Sequence, residues 1–378
     1  PPSARCCLVS LPAVSGPGAL RLSLYEFSSV STQLIRFLVP GTSHRFRCGG
    51  LSVEMQTAGL VNAFCPTEVV TYRERSSEHP FLADLLKSET LRPEVLWIVS
   101  WGFDVPRLIR RLADHRVAYH AHSSGYGFGL PPDIPVLAVS RNTLGYWGDR
   151  APRNPLFLVP NALESQWIER GNRQGGGSRP INVLVQARKS SHYVLTQLVP
   201  SLRRVGLTVE VQSGWVEDLV DLFNQATVVL YDSAEYWRGR GVSEGFGLPP
   251  VEAMACGCVV FSSVNHALAD HCVYRQTLHQ IGCGRLNFDV QRIQAAVANP
   301  AAWRPSRQDL ESLLNDCSEA SLRLQWSEAL SQLDALHLCD GPQLRMLPDW
   351  RLRLDLWLQR FSRVANRFPG WPNSGQVS

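Results

Sequence analysis

A glycine-rich loop followed by two prolines is the part of this sequence best suited to hold an anion. Residues 241–257 read GVSEGFGLPPVEAMACG. Gly245 and Gly247 let the backbone come close to a ligand and point bare N–H groups at it, while Pro249 and Pro250 favour the start of a helix. Because the first turn of a helix carries unpaired N–H groups and the positive end of the helix dipole, this segment suits a diphosphate.

Two carboxylates flank the same loop. Glu244 stands before the turn and Glu252 lies in the first helical turn, so both can face one pocket. Their oxygens would accept hydrogen bonds from sugar hydroxyl groups. For so short a pattern the alternative is an ordinary glycine turn, with Glu252 favoured by the helix dipole alone.

Two basic side chains follow the predicted strand at residues 181–186. Arg188 and Lys189 come directly after it, at the strand end where ligands of doubly wound sheets bind. Together these cations can neutralise a diphosphate. A solvated basic turn is the alternative.

Two histidines end another predicted strand, at residues 117–120. His120 and His122 would face opposite sides if the strand continued through them. A metal pair is disfavoured, because no third ligand stands at helical or strand spacing and no DxD motif is present to hold a metal–diphosphate. A buried structural histidine is the other alternative.

Composition narrows the class of protein. The chain has 378 residues, which suits two domains, and its hydrophobic content of 44% is typical of a soluble globular protein. A net charge of +4 suits sugar nucleotides or anionic lipid but is too small to indicate nucleic acid. P-loop and dinucleotide-binding motifs are missing. The lack of a long apolar run, the lack of a convincing signal peptide and the scattered cysteines predict a cytoplasmic protein with reduced thiols.

The elements that must position these residues alternate between strand and helix along two stretches of the chain. A glycine-rich joint at 171–178 separates the stretches, and long helices are predicted at 307–336 and 348–368. The alternation predicts an α/β protein with two doubly wound, Rossmann-like domains facing a cleft. The predicted division is an N-terminal extension, expected to be disordered, at 1–34, a first domain at 35–160, a hinge at 161–180, a second domain at 181–338 and a tail with an amphipathic helix at 339–378.

The segment from Glu244 to Gly257 closely resembles the donor-site signature of retaining GT-B glycosyltransferases, in particular family 4, glycosyl transferases group 1. That signature has two glutamates separated by seven residues, with G-F-G-L-P between them and A-M-A-x-G after the second. Three other segments resemble the family less closely: the interdomain joint at 160–162, the acceptor-side glycines at 49–50 and the nucleobase loop at 212–216. The likeness as a whole extends over about residues 35–338.

The resemblance implies transfer of a hexose, with retention of configuration, from a nucleotide-diphosphate sugar to a hydroxyl group of a glycan, lipid-linked or small-molecule acceptor. Such a reaction belongs to polysaccharide or glycan biosynthesis and is expected to need neither cofactor nor metal. The family usually has a lysine where Tyr193 stands, and Lys189 is the substitute that this sequence offers. His120 matches the family's sugar-contacting histidine, with His122 as the alternative. The residues implied as catalytic are His120, Glu244, Arg188 and Lys189. Those implied in donor binding are Gly49, Gly50, Gly214, Trp215, Val216, Gly245, Phe246, Gly247, Leu248 and Glu252.

Other functions stay open at this stage. One is a protein that binds a nucleotide sugar without turnover, because fold and site are separable. Another is a nucleotide-sugar epimerase on the same fold. Glycosidase chemistry with two carboxylates flanking the bond is a further alternative.

The predicted C-terminal helix has an apolar stripe surrounded by arginines. Its aromatic and aliphatic members recur at spacings of three and four residues, which places them on one face. Such a helix suits peripheral contact with anionic lipid at the inner face of the membrane; the alternative is packing against the first domain. The stripe consists of Trp350, Leu354, Trp357, Phe361, Val364 and Phe368.

Overall fold

Two parallel sheets organise the protein in its computed structural model. Each sheet is built from short, apolar, β-branched strands whose two faces are covered by helices, as expected for parallel sheets. The structure describes residues 31–335, except 133, 215, 264, 274–275 and 282–284, together with Leu354, Trp357 and Leu358.

The first sheet has the strand order β2-β1-β3-β4-β5-β6, with all neighbouring strands parallel. The central strand β3 is buried throughout, so both of its faces belong to the core. The strands of this first sheet and the helices between them are β1 Leu34–Val39, α1 Gly49–Val61, β2 Thr67–Thr71, α2 Leu82–Ser88, β3 Val95–Val99, α3 Val105–Arg111, β4 Arg116–Ala121, β5 Val136–Ala138, α4 Arg141–Arg150 and β6 Leu156–Leu158.

The second sheet has the order β11-β10-β9-β7-β8 and is also parallel. A short helix, α5 Ser165–Arg170, connects the two sheets. The elements that follow are β7 Ile181–Gln186, α6 Val199–Arg204, β8 Val209–Gln212, α7 Leu219–Asn224, β9 Ala226–Tyr231, α8 Ala234–Arg240, α9 Leu248–Ala255, β10 Val259–Ser262, β11 His279–Gln280 and α10 Leu286–Ala298.

The glycine-rich joint, predicted to be flexible, is bonded to the second sheet and its helices. Arg304 donates from Nε to the carbonyl oxygen of Gly257 at 2.7 Å and from a terminal nitrogen to that of Gln174 at 2.9 Å. Arg179 donates to the carbonyl oxygens of Asn172 and Cys256 at 3.1 and 2.6 Å. Two arginines therefore hold this segment by its backbone.

The closing helices differ from the single helix predicted at 307–336. They are α11 Arg307–Asp316 and α12 Glu319–Ala335. The sequence placed both with the second domain, but Trp326 and Leu333 of α12 pack in one cluster with Ile35 and Phe37 of β1. The apolar face of α12 therefore completes the core of the first sheet.

Most of the predicted C-terminal stripe lies outside the described residues, as do residues 1–30 of the extension. Leu354 and Trp357 are helical and exposed, at 43% and 53%. Within the described chain, none of the helices is both long and apolar enough to span a membrane.

Candidate functional site

The carboxyl ends of the two sheets meet at two loops. The loop after β4 and the loop before α9 bond directly: Ser243 donates its N–H to the carbonyl oxygen of Ser124 at 3.0 Å, and their Oγ atoms lie 2.5 Å apart. Next to them, the N–H of Arg141 donates to Asp270 at 2.6 Å. The glycine-rich loop before α9 and the loop that carries His122 therefore lie side by side between the two sheets.

The glycine-rich loop presents a row of free backbone N–H groups. Within the described chain, the N–H groups of Gly245, Phe246, Gly247 and Leu248 have no hydrogen-bond acceptor in the protein. Pro249 and Pro250 carry no N–H, so the donors at this end of α9 are these four. Successive free N–H groups at a helix start form an anion site.

Both glycines of this loop occupy positions that exclude a side chain. Gly247 has a φ of 83° and caps α9, and an added Cβ would clash with Leu268. At Gly245 a Cβ would clash with the carbonyl oxygen of His122 from the facing loop. Phe246 lies between them and stacks on His271, with ring centroids 4.4 Å apart. The backbone shape is thus fixed by close packing on both sides.

Glu252 lies in the second turn of α9 and not, as predicted, in the first, because the helix begins at Leu248. Its carboxyl group has no hydrogen-bond partner among the described residues. Burial raises its pKa to about 7; the charge of Lys189 lowers the pKa and that of Glu164 raises it further. A partly buried carboxylate with free lone pairs beside an anion site can accept hydrogen bonds from ligand hydroxyl groups.

Glu244, by contrast, is 3% exposed and its oxygens are occupied by protein donors. Ser233 donates to it at 2.8 Å and Asn265 at 2.5 Å, and Tyr231 donates to the other oxygen. The Nζ atom of Lys189 lies 4.0 Å from that oxygen. A sugar hydroxyl bonding to Glu244 would therefore join or replace these partners.

The basic pair lies where the sequence placed it, in a single 3₁₀ turn after β7. Lys189 is partly buried between the rings of Tyr231 and Trp237, 5.9 and 5.5 Å from their centroids, and its charge lies near both glutamates. Arg188 is exposed. Tyr193, which stands where the family has lysine, instead donates to Asp289 at 2.8 Å. Lys189 is therefore the partly buried cation at this strand end, and Arg188 is the exposed one.

The two histidines do not face opposite sides as predicted, because residues two positions apart along a strand point to the same face; β4 itself ends at Ala121, between them. Both rings turn to Glu54 of α1, with His120 Nδ1 and His122 Nε2 at 2.8 and 2.7 Å from the same carboxylate oxygen. His120 is 1% exposed and packs edge-on against Trp326, whereas the side chain of His122 is 16% exposed. The sugar contact predicted for His120 stays untested, and burial favours the alternative, His122.

The remaining predicted donor residues belong to two other segments of the chain. Gly49 and Gly50 are exposed and begin α1, and Gly214 is exposed after β8 with Val216 near it. Trp215 lies outside the described residues. The roles predicted for these residues in donor binding stay predictions.

The sequence prediction missed several residues of the site. Tyr231, Ser233 and Asn265 converge on Glu244 from β9, the residues after it and the loop after β10. Glu54 lies beside the two histidines and is the third side chain able to bind a metal that the sequence analysis did not find. The available clue was that Glu54 shares a helical face with the apolar Leu51, Ala58 and Val61, since a buried acid requires partners.

Comparison with known proteins agrees with this geometry. Residues 208–273 match the model of the family glycosyl transferases group 1. No curated protein matches the chain. The fold resembles sucrose-phosphate synthase from Thermosynechococcus elongatus, at 16% identity and a TM-score of 0.57 over 80% of this chain and 100% of that chain.

Two further solved structures show the same architecture. Anabaena HepE, in complex with UDP and glucose, is 14% identical with a TM-score of 0.54 over 79% of this chain and 100% of HepE. A glycosyltransferase from Rickettsia africae is 11% identical with a TM-score of 0.56 over 80% of this chain and 98% of that chain. At these identities the likeness shows the fold alone. The predicted α/β fold with two sheets of the GT-B type is confirmed, as is the resemblance to the group 1 family.

Proposed function

We propose that this protein, a glycosyltransferase by its group 1 segment, moves a hexose from a nucleotide-diphosphate sugar to a hydroxyl acceptor with retention of anomeric configuration. One observation carries the proposal. Four N–H groups and the carboxyl of Glu252, none of which has a hydrogen-bond partner in the described part of the chain, lie with the ammonium of Lys189 at one end of the cleft. The N–H and ammonium groups can bind the diphosphate, and the carboxyl beside them can accept hydrogen bonds from the ribose hydroxyls. Together they match the two polar parts of a nucleoside diphosphate.

Each part of the donor has a proposed partner. The diphosphate lies on the N–H groups of residues 245–248 and is neutralised by Lys189 and Arg188. Glu252 accepts hydrogen bonds from the ribose hydroxyls, and Glu244 takes part in holding the sugar. Anabaena HepE, whose structure contains UDP and glucose, supports a nucleotide sugar as the donor.

The reaction needs stabilisation of the leaving diphosphate as the glycosidic bond breaks. Donors that are already oriented towards the developing charge supply this without reorganisation. In the proposed retaining mechanism the leaving phosphate accepts the proton of the acceptor hydroxyl, which attacks on the same face. The protein then needs no separate general base, and the positive charge at the diphosphate comes from the protein's own side chains, so activity should be independent of a metal.

We also propose that the C-terminal helix brings the cleft to a lipid-linked acceptor at the inner face of the membrane. The exposed Leu354 and Trp357, followed by arginines in the sequence, support this contact. Truncation after Leu347 should abolish sedimentation with anionic liposomes and leave a folded protein that binds the donor. A truncated protein that is insoluble or no longer melts cooperatively would show that the helix belongs to the core.

A nucleotide-sugar panel tests the proposed function. A donor at about 100 times its dissociation constant should stabilise the protein by about 2.7 kcal/mol, which a thermal-shift assay detects. The same donor should be hydrolysed or transferred, and Glu252→Ala should abolish both effects, whereas Glu169→Ala on the exposed face of α5 should change neither. Stabilisation without any turnover would indicate a binding protein, and no stabilisation by any nucleotide sugar would reject the donor site.

A further inference from the structure

A buried carboxylate joins the two histidines behind the cleft. Glu54 is 1% exposed, and a single oxygen, Oε2, contacts His120 Nδ1 at 2.8 Å and His122 Nε2 at 2.7 Å. The imidazole rings lie with their centroids 4.1 Å apart. The proposed donor-binding machinery does not use Glu54, and an acid at this depth requires an explanation.

The charge state of Glu54 fixes which ring nitrogens carry protons. Burial alone would raise the pKa of Glu54, but the attraction of His120 in its charged form and the hydrogen bonds from both rings outweigh it and hold the pKa well below its usual range. Burial lowers the pKa of His120, and two neutral rings still donate both hydrogen bonds to the carboxylate. An ionised carboxylate only accepts hydrogen bonds. His120 Nδ1 and His122 Nε2 are therefore both protonated, as donors to the same oxygen.

A hydrogen-bonded triad fits these distances better than a metal site does. The three ligand atoms lie within 4.8 Å of one another, which by itself suits an ion. Around a tetrahedral zinc ion, however, bonds of about 2.0–2.1 Å would place the ligand atoms roughly 3.3 Å apart. The two separations of 2.7 and 2.8 Å are hydrogen-bond distances.

Only His122 of the pair can reach a ligand. Its side chain is 16% exposed, against 1% for His120. Its other ring nitrogen, Nδ1, has no partner among the described residues and is not one of their buried unpaired atoms, whereas Nε2 of His120 is. The backbone of His122 packs against Gly245, which places this residue at the proposed donor site.

We propose that Glu54 is a positioning residue that fixes His122 in its Nε2–H tautomer, so that Nδ1 offers a lone pair to a hydroxyl group of the bound hexose. This inference rests on the proposed function for its ligand, but not for the tautomer itself. Nδ1 of His122 is thus a hydrogen-bond acceptor in the cleft, and a hydroxyl group of the sugar must supply the hydrogen-bond donor. A hexose that lacks the hydroxyl at this position loses the bond.

Nitrogen NMR of the ligand-free protein tests the tautomer without reference to activity. With ¹⁵N-labelled histidine, the signal lost in His122→Asn identifies His122. Its Nε2 should be of the protonated, pyrrole type and its Nδ1 of the unprotonated, pyridine type. In Glu54→Gln, the amide can donate to Nε2, so the Nδ1–H form should gain population. A protonated Nδ1 in the unaltered protein, or a tautomer that ignores Glu54→Gln, would overturn the proposal.

A double-mutant cycle tests the coupling to the sugar. Glu54→Gln should weaken binding of the nucleotide sugar by up to about tenfold and leave binding of the nucleoside diphosphate unchanged, because only the sugar contacts His122. In a His122→Asn background, whose amide oxygen can take the place of Nδ1, Glu54→Gln should have no further effect. Additive losses, or equal losses for both ligands, would mean that Glu54 acts on the fold alone.

Two controls complete the test. Thr57→Val removes a buried, unpartnered hydroxyl from the same helix and should leave tautomer and affinities unchanged. If Glu54→Gln does not fold, the tautomer of the unaltered protein and the His122→Asn and His122→Gln pair decide the matter, since only asparagine places an oxygen at the Nδ1 position. Stoichiometric binding of Co²⁺ that His122→Asn abolishes would replace the triad with a metal site.

Discussion

Replacing Glu252 with glutamine should stabilise the ligand-free protein and weaken its binding of a nucleoside diphosphate. In the folded protein, burial raises the pKa of this carboxyl group from 4.5 to about 7. Ionising it inside the fold, compared with the unfolded chain, therefore costs about 3 kcal/mol at a pH above both values. Glutamine has nearly the same shape and carries no charge, so Glu252→Gln should recover most of this free energy at pH 8.

The pH dependence of this gain has a definite sign. Between pH 4.5 and about 7 the folded protein holds the Glu252 proton and the unfolded chain does not. The free energy of unfolding of the unaltered protein therefore falls as the pH rises through this window, relative to the variant. The advantage of Glu252→Gln should be small near pH 5 and largest above pH 7.

Melting curves measure the effect. An unfolding entropy of about 2.1 cal/mol/K per residue makes 3 kcal/mol correspond to a rise in Tm on the order of 4 °C at pH 8. Glu169→Gln, an exposed change of the same type on α5, should give no rise. The same Glu252→Gln protein should bind a nucleoside diphosphate about 10–100-fold more weakly, since it loses hydrogen bonds to a charged group. A Tm gain that does not depend on pH, or unchanged nucleotide affinity, would refute this reasoning.

Three further outcomes follow from the site. Arg188→Ala should weaken binding of the nucleotide sugar and of the nucleoside diphosphate severalfold each in calorimetric titrations, because both ligands carry the diphosphate. Unchanged affinity for the free nucleoside diphosphate would show that Arg188 is not part of the site. Glu244→Ala should lower affinity for the sugar-bearing donor more than for the bare diphosphate, and should lower Tm because Ser233 and Asn265 lose their shared acceptor; equal losses for both ligands would reject its role towards the sugar. Transfer activity should survive EDTA, whereas complete loss that magnesium or manganese restores would require a metal at the diphosphate.

The fold and the shape of the glycine-rich loop before α9 could be predicted because their signals are local. Apolar runs of strand length, separated by helical patterns, define both sheets, and Gly245 and Gly247 stand in a motif whose geometry follows from the glycines and the prolines after them. The sequence also placed Arg188 and Lys189 directly after a strand, and they lie in the turn after β7. These features depend on neighbours within a few residues along the chain.

Features that depend on contacts between distant segments could not be predicted. The bond between His120 and Glu54 joins residues 66 positions apart, so no spacing rule connects them. The apolar stripe of α12 predicts burial but does not say which sheet it covers, and it covers the first. Glycines at 175–177 indicate flexibility by composition, yet Arg304 fixes the segment by bonding to Gln174.

Turnover of a nucleotide sugar followed by proton NMR tests the central claim most directly. The full chain, incubated with the donor that gives the largest thermal shift, should release nucleoside diphosphate and form a product whose anomeric configuration equals that of the donor. Glu169→Gln should behave identically, and Glu252→Gln should lose most of the turnover. A product with the opposite configuration would contradict the retaining mechanism, and a donor that binds but is never consumed would contradict the proposed transfer itself.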